Sequence, residues 1–413
     1  MKRLFILIIA ILFLCISINS VHAIDDLHKW SEREKQILKS LWLGSLPPPP
    51  KDPSNRYDGN PAAIRLGRKF FFENRFSGNK KVSCATCHPE NMNFADSLPL
   101  AHGMGFTKRR TMPLIGVAYS PWLFWDGRKD STWAQALGPI ESPVEHGFTR
   151  TQVAVVIKHF YKDEYERVFG SLPDFDEKKL PLKAKPSPDD PKALKLWVTL
   201  PDKTKQAVNE IYVNVGKAIG AFVRTIMPTP APFDRYVKAI LKGDIEKASE
   251  ILTPMQVKGL RLFIGKAKCI NCHNGPMFTD YDFHNIHVPQ PRGLPPDDGR
   301  ASAIVKVLTD EFNCLSRYSD AKPRQCRTLR FMSTDVFKYK GAFKTPTLRN
   351  VAERAPYMHA GQFSTLHEVL HFYRDMPESI RPADLEHGAL TDQELLYLEE
   401  FLKSLSSPPV YYK

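Results

Sequence analysis

Two five-residue motifs constrain this chain more than anything else in it: Cys84-Ala85-Thr86-Cys87-His88 and Cys269-Ile270-Asn271-Cys272-His273. Each sets two thiols on one turn of chain, with an imidazole directly after them. The spacing matches the two vinyl groups of a haem, across which the thiols add, and leaves the His beneath the iron as proximal ligand. The competing readings are zinc and a redox dithiol. Zinc needs four protein ligands per site, and a dithiol has no use for the His. Two complete copies therefore predict two covalently bound c-type haems, held by Cys84, Cys87, His88, Cys269, Cys272 and His273.

The surroundings of the motifs look duplicated. Leu66-Gly67-Arg68-Lys69-Phe70-Phe71 precedes the first and Gly259-Leu260-Arg261-Leu262-Phe263 the second. Phe94 and Asp96 follow one, Phe278 and Asp280 the other. This predicts two haem domains sharing an interface. Helical signals dominate elsewhere. Ser31-Glu32-Arg33-Glu34 reads as a capping box, Thr253-Pro254-Met255-Gln256 opens another helix with Pro at its first turn, and Thr391-Asp392-Gln393-Glu394 caps a last one. Ile211, Val215, Ile219, Phe222 and Ile226 recur at helical spacing. Pro228, Pro230 and Pro232 then mark a boundary. Alternating β patterns are few, so the expected fold is mainly α: two cytochrome c-like domains with long Pro-rich loops. Residues 24–55 form an N-terminal helix and a Pro47–Pro50 tether, 56–227 the first domain and 228–413 the second. Phe175 to Lys205, rich in Lys, Asp and Pro, reads as a surface excursion.

A basic start at Lys2 and Arg3, an apolar run from Leu4 to Ile18 and small residues before Ala23 read as a signal peptide, residues 1–23. The alternative, an uncleaved anchor, is disfavoured because the run is shorter than a bilayer span. Export to the periplasm and no stable membrane insertion follow. Of seven cysteines, one is in the leader and four serve the motifs, leaving Cys314 and Cys326. An oxidising compartment makes a disulfide the default for them. The net charge of +13 is scattered and accompanies no nucleic-acid motif, so it points to solubility and to steering of an acidic partner.

Two further stretches carry a family likeness. One runs Pro121-Trp122-Leu123-Phe124-Trp125-Asp126-Gly127-Arg128 through Gln135 and Pro139 to Ser142-Pro143-Val144-Glu145. The other runs Phe343-Lys344-Thr345-Pro346-Thr347-Leu348-Arg349-Asn350 to Pro356-Tyr357-Met358-His359. With the paired motifs, these resemble the bacterial di-haem cytochrome c peroxidase and MauG family from about Gly67 to Leu405. The resemblance implies a peroxide-reacting first haem and an electron-transfer second haem. It assigns Glu145 as the acid–base group over the first, with Gln135 and Pro139 beside it, and Trp125 as the ring between the haems. It implies hydrogen peroxide as oxidant, high-valent haem, and a redox partner or substrate protein.

By the same resemblance, ordinary members place a Met fourteen residues after the position of His359, where this chain has Tyr373. MauG-like members carry Tyr there. An anionic oxygen ligand favours the higher oxidation states of iron, and a thioether the ferrous state. Met376 is the competing ligand, at the cost of a shifted register. Arg109-Arg110-Thr111-Met112-Pro113 and the Cys314/Cys326 loop look closest to MbnH-like members, which oxidise a tryptophan on a partner. The alternatives are a cytochrome c peroxidase drawing electrons from a small cytochrome and a di-haem electron carrier. Three departures stand out. His102 is near, but not at, the place of a distal His. A calcium ion between the haems is in question, because Thr111 replaces an Asn and Arg354 a Thr, leaving carbonyls near Pro356. Ala267 stands where MauG has an exit-relay Trp.

Overall fold

The computed structural model describes residues 27–382, 385 and 388–413, so the expected signal peptide, with Cys15, lies outside the described residues. Within them the chain is mainly α, and the strands β1 (Phe283–His284) and β2 (Phe343–Lys344) form one short antiparallel pair.

Helix α1 (Glu32–Leu41) starts on the expected capping box: Ser31 N–H donates to the Glu34 carboxylate at 2.8 Å and Glu34 N–H to the Ser31 hydroxyl at 3.3 Å. It does not stand apart. Leu38 and Leu41 are buried with Phe233, Tyr236 and Val237, and the Trp30 indole donates to the Tyr236 hydroxyl at 2.8 Å. The prolines then carry the chain to the other half, where the Tyr119 hydroxyl donates to the Pro47 carbonyl at 2.7 Å.

Helices α2 (Pro61–Phe71), α3 (Thr132–Glu141) and α4 (Asp202–Val223) build the first core. Helices α5 (Pro232–Leu241), α6 (Pro254–Ile264), α8 (Leu366–Arg374) and α9 (Asp392–Lys403) build the second, with α7 (Arg300–Leu308) between them and set aside from both. The two cores repeat one crossing. A Cβ added to Gly67 on α2 would lie 1.8 Å from the Ala218 carbonyl oxygen of α4; one added to Gly259 on α6 would lie 1.9 Å from the Tyr397 carbonyl oxygen of α9. Each helix pair packs backbone to backbone because the residue just ahead of each haem motif's Phe run has no side chain in the way.

The core changes over between Ile226 and Phe233, across the proline stretch. Phe312, far along the chain, returns to the first core. Arg349 and Asp234, each at most 1% exposed, pair at 2.5 and 3.0 Å and fix the Thr345–Asn350 segment on α5. A third cluster of Trp122, Phe283, Ile304, Val307, Leu329, Tyr339 and Ala342 gathers around α7. Cys314 and Cys326 are disulfide-bonded, with sulfurs 2.06 Å apart.

The stretch from Phe175 to Lys205 departs from expectation. Phe175, Leu180, Ala184, Trp197 and Leu200 enter the first core, and a helix spans Pro191–Val198 behind an Asp190 cap. Its few apolar residues sit among many charges, so composition hid a spacing that places them on one side.

Candidate active site

The two motifs build the same local structure. The imidazole Nδ1 of His88 lies 2.9 Å from the Phe94 carbonyl, and that of His273 lies 3.0 Å from the Phe278 carbonyl. Phe94 and Phe278 have φ of +57° and +52°, a left-handed turn that aims each carbonyl back at its His. A carbonyl only accepts, so Nδ1 carries the proton and Nε2 keeps its lone pair, the tautomer an iron ligand needs. Burial pushes both imidazoles below their ordinary pKa and keeps them neutral. Asp96 N–H closes on the Cys87 carbonyl at 3.0 Å and Asp280 N–H on the Cys272 carbonyl at 2.9 Å. Burial pushes the thiols of Cys84, Cys87 and Cys269 up to about 12. This donor set fits two c-type haems.

A cavity of about 1160 Å³ opens beside the first motif, lined by Cys84, Cys87, His88, Gln135, Glu145 and Trp125 among others. Gln135 lies on α3, one turn before Pro139. Glu145 follows in a loop held by a strap: Met104 N–H donates to the Glu145 carbonyl at 2.8 Å and Gly105 N–H to the Val144 carbonyl at 2.9 Å. A Cβ on Gly103 would meet the Glu145 carbonyl oxygen at 2.3 Å, so the strap packs directly on it. Burial raises the Glu145 carboxyl above the ordinary carboxylate range, opposed by a Ser142 hydrogen bond and the Arg128 charge. The Glu145 charge acts on both Cys84 and Cys87, which line the same cavity.

Trp125 sits where the halves meet. Its indole N–H donates to the Arg110 carbonyl at 3.0 Å, and its own carbonyl accepts from Lys344 N–H of β2 at 2.8 Å. Arg109 locks the same junction. It binds Asp126 at 2.6 Å and both oxygens of Asp297 at 2.7 Å. Its guanidinium lies 5.3 Å from the Phe343 ring, which stacks on His359 at 3.8 Å. Lys344 also lines the cavity, and burial pushes its amine down to about 8. Arg109, Arg128 and Lys344 are site residues that sequence reasoning did not single out. The signal available was the position of each inside or beside a stretch already carrying the family likeness.

At the second motif, Tyr373 lies on α8, partly buried. Burial raises its hydroxyl pKa, and the charges of Cys269 and Cys272 add to that. Met376 falls past the end of α8; it is buried, and its carbonyl accepts from Arg381 at 2.5 Å. Ala267 packs against the second core. His102 is exposed and stacks on Phe106 at 4.3 Å; its carbonyl, not its imidazole, faces the Cys87 sulfur.

The calcium expectation meets an obstacle. The Arg354 carbonyl accepts from the Arg110 guanidinium at 2.7 Å, and the Asp96 carbonyl accepts from the same group at 3.2 Å. Thr111 donates its hydroxyl to the Asp96 carboxylate at 2.6 Å. The Arg354 guanidinium is itself buried on the carbonyls of Thr347 and Asn350, and burial with the nearby Arg110 charge pushes it down to about 9. Calcium wants six to eight free oxygens. Here the Arg354 and Asp96 carbonyls and the Asp96 carboxylate are engaged and two cations already occupy the region, so these residues do not fit a calcium ion.

A family model described as di-haem cytochrome c peroxidase matches residues 61–241. The methylamine utilization protein MauG of Methylorubrum extorquens is 30% identical over 388 residues, covering 92% of this chain and 87% of that protein. The cytochrome c551 peroxidase of Pseudomonas aeruginosa is 28% identical over 332 residues, covering 78% and 75%. Among solved structures, the diheme peroxidase BthA of Burkholderia thailandensis superposes with a TM-score of 0.61 at 22% identity, covering 86% of this chain and 89% of that one, and shares the fold. Among the described residues, no helix is long and apolar enough to cross a membrane.

Proposed function

The chain belongs to the di-haem cytochrome c peroxidase and MauG family, and from that premise we propose that it uses hydrogen peroxide to oxidise a partner protein, with a tryptophan side chain as the favoured target. Family membership makes it a haem-dependent peroxidase or oxidase, so the reading as a simple electron carrier falls away. The reading takes residues 56–227 as the peroxide-reacting domain and 228–413 as the electron-transfer domain, in the periplasm after loss of residues 1–23.

Cys84, Cys87 and His88 would hold one haem, and Cys269, Cys272, His273 and Tyr373 the other. When bound, the haems supply iron that takes electrons singly from a donor and passes them in pairs to peroxide. The remaining steps are the chain's own. Glu145 takes the proton from one peroxide oxygen and delivers it to the other, which leaves as water. A carboxyl raised by burial is suited to both halves of that exchange. Gln135 orients peroxide with its amide. Trp125, hydrogen-bonded to both halves, gives electrons a path between them.

What favours this reading over a cytochrome c peroxidase is that α8 carries Tyr373 where ordinary members of the family carry a Met, with the charges of Cys269 and Cys272 acting on its hydroxyl. With the haem bound, a phenolate ligand from Tyr373 would favour storage of oxidising equivalents, where a Met would favour delivery of electrons. The test is a titration of the fully oxidised holoprotein with one equivalent of peroxide, followed by optical and spin-resonance spectra. Direct reaction that changes both haem signals is expected, and Tyr373→Met should confine the change to one. An oxidised protein that stays inert until it receives one electron would sink the reading and leave a reductively activated peroxidase fed by a small cytochrome, with Met376 as the ligand to examine.

A further inference from the structure

Helix α7 and the chain after it, as far as Lys340, bury one face and leave the other open. Ile304, Val307, Leu329 and Tyr339 pack into the third cluster. Val305, Leu315, Phe331 and Phe337 face away, 60%, 48%, 74% and 90% exposed. Isolated exposed apolar residues are ordinary, but two phenylalanines this open on one bridged segment are a liability unless something covers them.

Charge on the same segment has one sign. Between residues 322 and 340 stand Lys322, Arg324, Arg327, Arg330, Lys338 and Lys340, with Asp335 as the single acid. The Asp335 carboxylate is spent on the backbone N–H groups of Phe337 and Lys338, each at 3.0 Å. The acids just upstream are engaged with the first half: Asp310 with Lys129, Glu311 with Arg150 at 3.0 Å and Asp320 with Lys217 at 2.7 Å. The patch is therefore cationic with apolar anchors, and its base is held by Cys314–Cys326.

Its position matters as much as its composition. Tyr339 lies 6.2 Å from Phe283, and the buried Arg300 guanidinium sits 4.4 Å from Phe283 and 4.3 Å from Trp122. Trp122 lines the cavity beside the first motif. The open face thus stands one packed layer from that cavity.

We propose that this face, anchored by Phe331 and Phe337 and carrying the six exposed cations of the same segment, is the docking surface for an acidic protein, the redox partner or substrate of the preceding reading. The choice of a redox protein rests on that reading; the docking itself does not. A partner of negative charge gains steering and release of water from the two rings. A lipid surface would match the charge but has no electrons to deliver to the cavity behind it.

The test measures binding without turnover. Fluorescently labelled tryptophan peptides flanked by glutamates or by lysines are titrated with the holoprotein at low salt. The glutamate peptide should bind and the lysine peptide should not. Two double variants, Phe331→Ser with Phe337→Ser and Arg327→Glu with Arg330→Glu, should each weaken binding at least about tenfold. Equal binding of both peptides, or no loss in the variants, overturns the proposal. So does co-sedimentation with phosphatidylglycerol vesicles that the variants abolish while peptide binding is unchanged, which would make the face a membrane surface. Self-association lost in the same variants, with peptide binding intact, would make it a contact between copies. The peroxide titration above judges the enzymatic reading separately, and its failure would leave the binding result standing.

Discussion

Glu145 illustrates what one residue owes to its surroundings. Burial raises its carboxyl, so the ionised form needed to accept a proton appears only above the ordinary carboxylate range. The peroxide reaction should therefore fall off as pH drops through that raised value, and a stopped-flow pH profile should show one acid limb there. Glu145→Gln keeps the shape and removes the proposed proton carrier; kcat/KM for peroxide should fall about 100- to 10,000-fold and the limb should vanish. The stability effect has the opposite sign. A carboxyl whose folded pKa lies above its unfolded value costs nothing in acid, where both states are protonated, and destabilises the fold as pH rises past the unfolded value. Glu145→Gln should thus raise Tm near neutral pH, with the gain fading in acid. The candidate residues named from sequence, Glu145, Gln135, Trp125 and Tyr373, came from resemblance and chemical type. Lys344 and Arg109 did not, because their significance lies in partners more than 180 residues away: Arg109 with Asp297, and Lys344 with Trp125.

At the scale of elements, the repeated glycine crossings carry the most weight. Gly67→Ala and Gly259→Ala each drive a methyl group into a carbonyl oxygen with no flexible side chain to give way. Each should cost about 1–3 kcal/mol or more by overpacking. Thermal unfolding followed in the haem bands should report distinct losses: Gly67→Ala loosens the first core and Gly259→Ala the second, and equal effects on both haems would refute the separation. Helix starts were the most legible elements. Ser31 and Thr391 cap where their spacing to Glu34 and Glu394 says they should, and the helix with Pro254 in its first turn starts where expected, since a helix start is settled within one turn. The stretch from Phe175 to Lys205 was not legible. Its inward residues are outnumbered by charges, and only the shape of the first core decides that Trp197 and Leu180 belong inside.

For the whole molecule, the junction between halves is built from the chain's own cations. Arg109 spans it through Asp126 and Asp297, while Arg110 and Arg354 fill the region where the family likeness implies calcium. Chelation of calcium should accordingly leave Tm and the peroxide rate of the holoprotein unchanged, as calorimetry and stopped-flow spectroscopy can check. A fall in either on adding EGTA, restored by calcium, would show that an ion coexists with the guanidinium groups. The two-domain plan was visible in the repeated motifs, but the way the halves interlock was not, because Phe312 and α1 each pack into the core of the other half.

The Cys314–Cys326 bridge has a consequence for how the molecule is made. One chain holds two thiols that must be oxidised and four that must stay reduced until haem attachment. Surroundings oxidising enough to close the bridge can also close Cys84 on Cys87 and Cys269 on Cys272, whose partners are nearer in sequence. The finished fold does not arbitrate between these fates. Maturation is a race between oxidant and haem supply, and the yield of active protein depends on which arrives first.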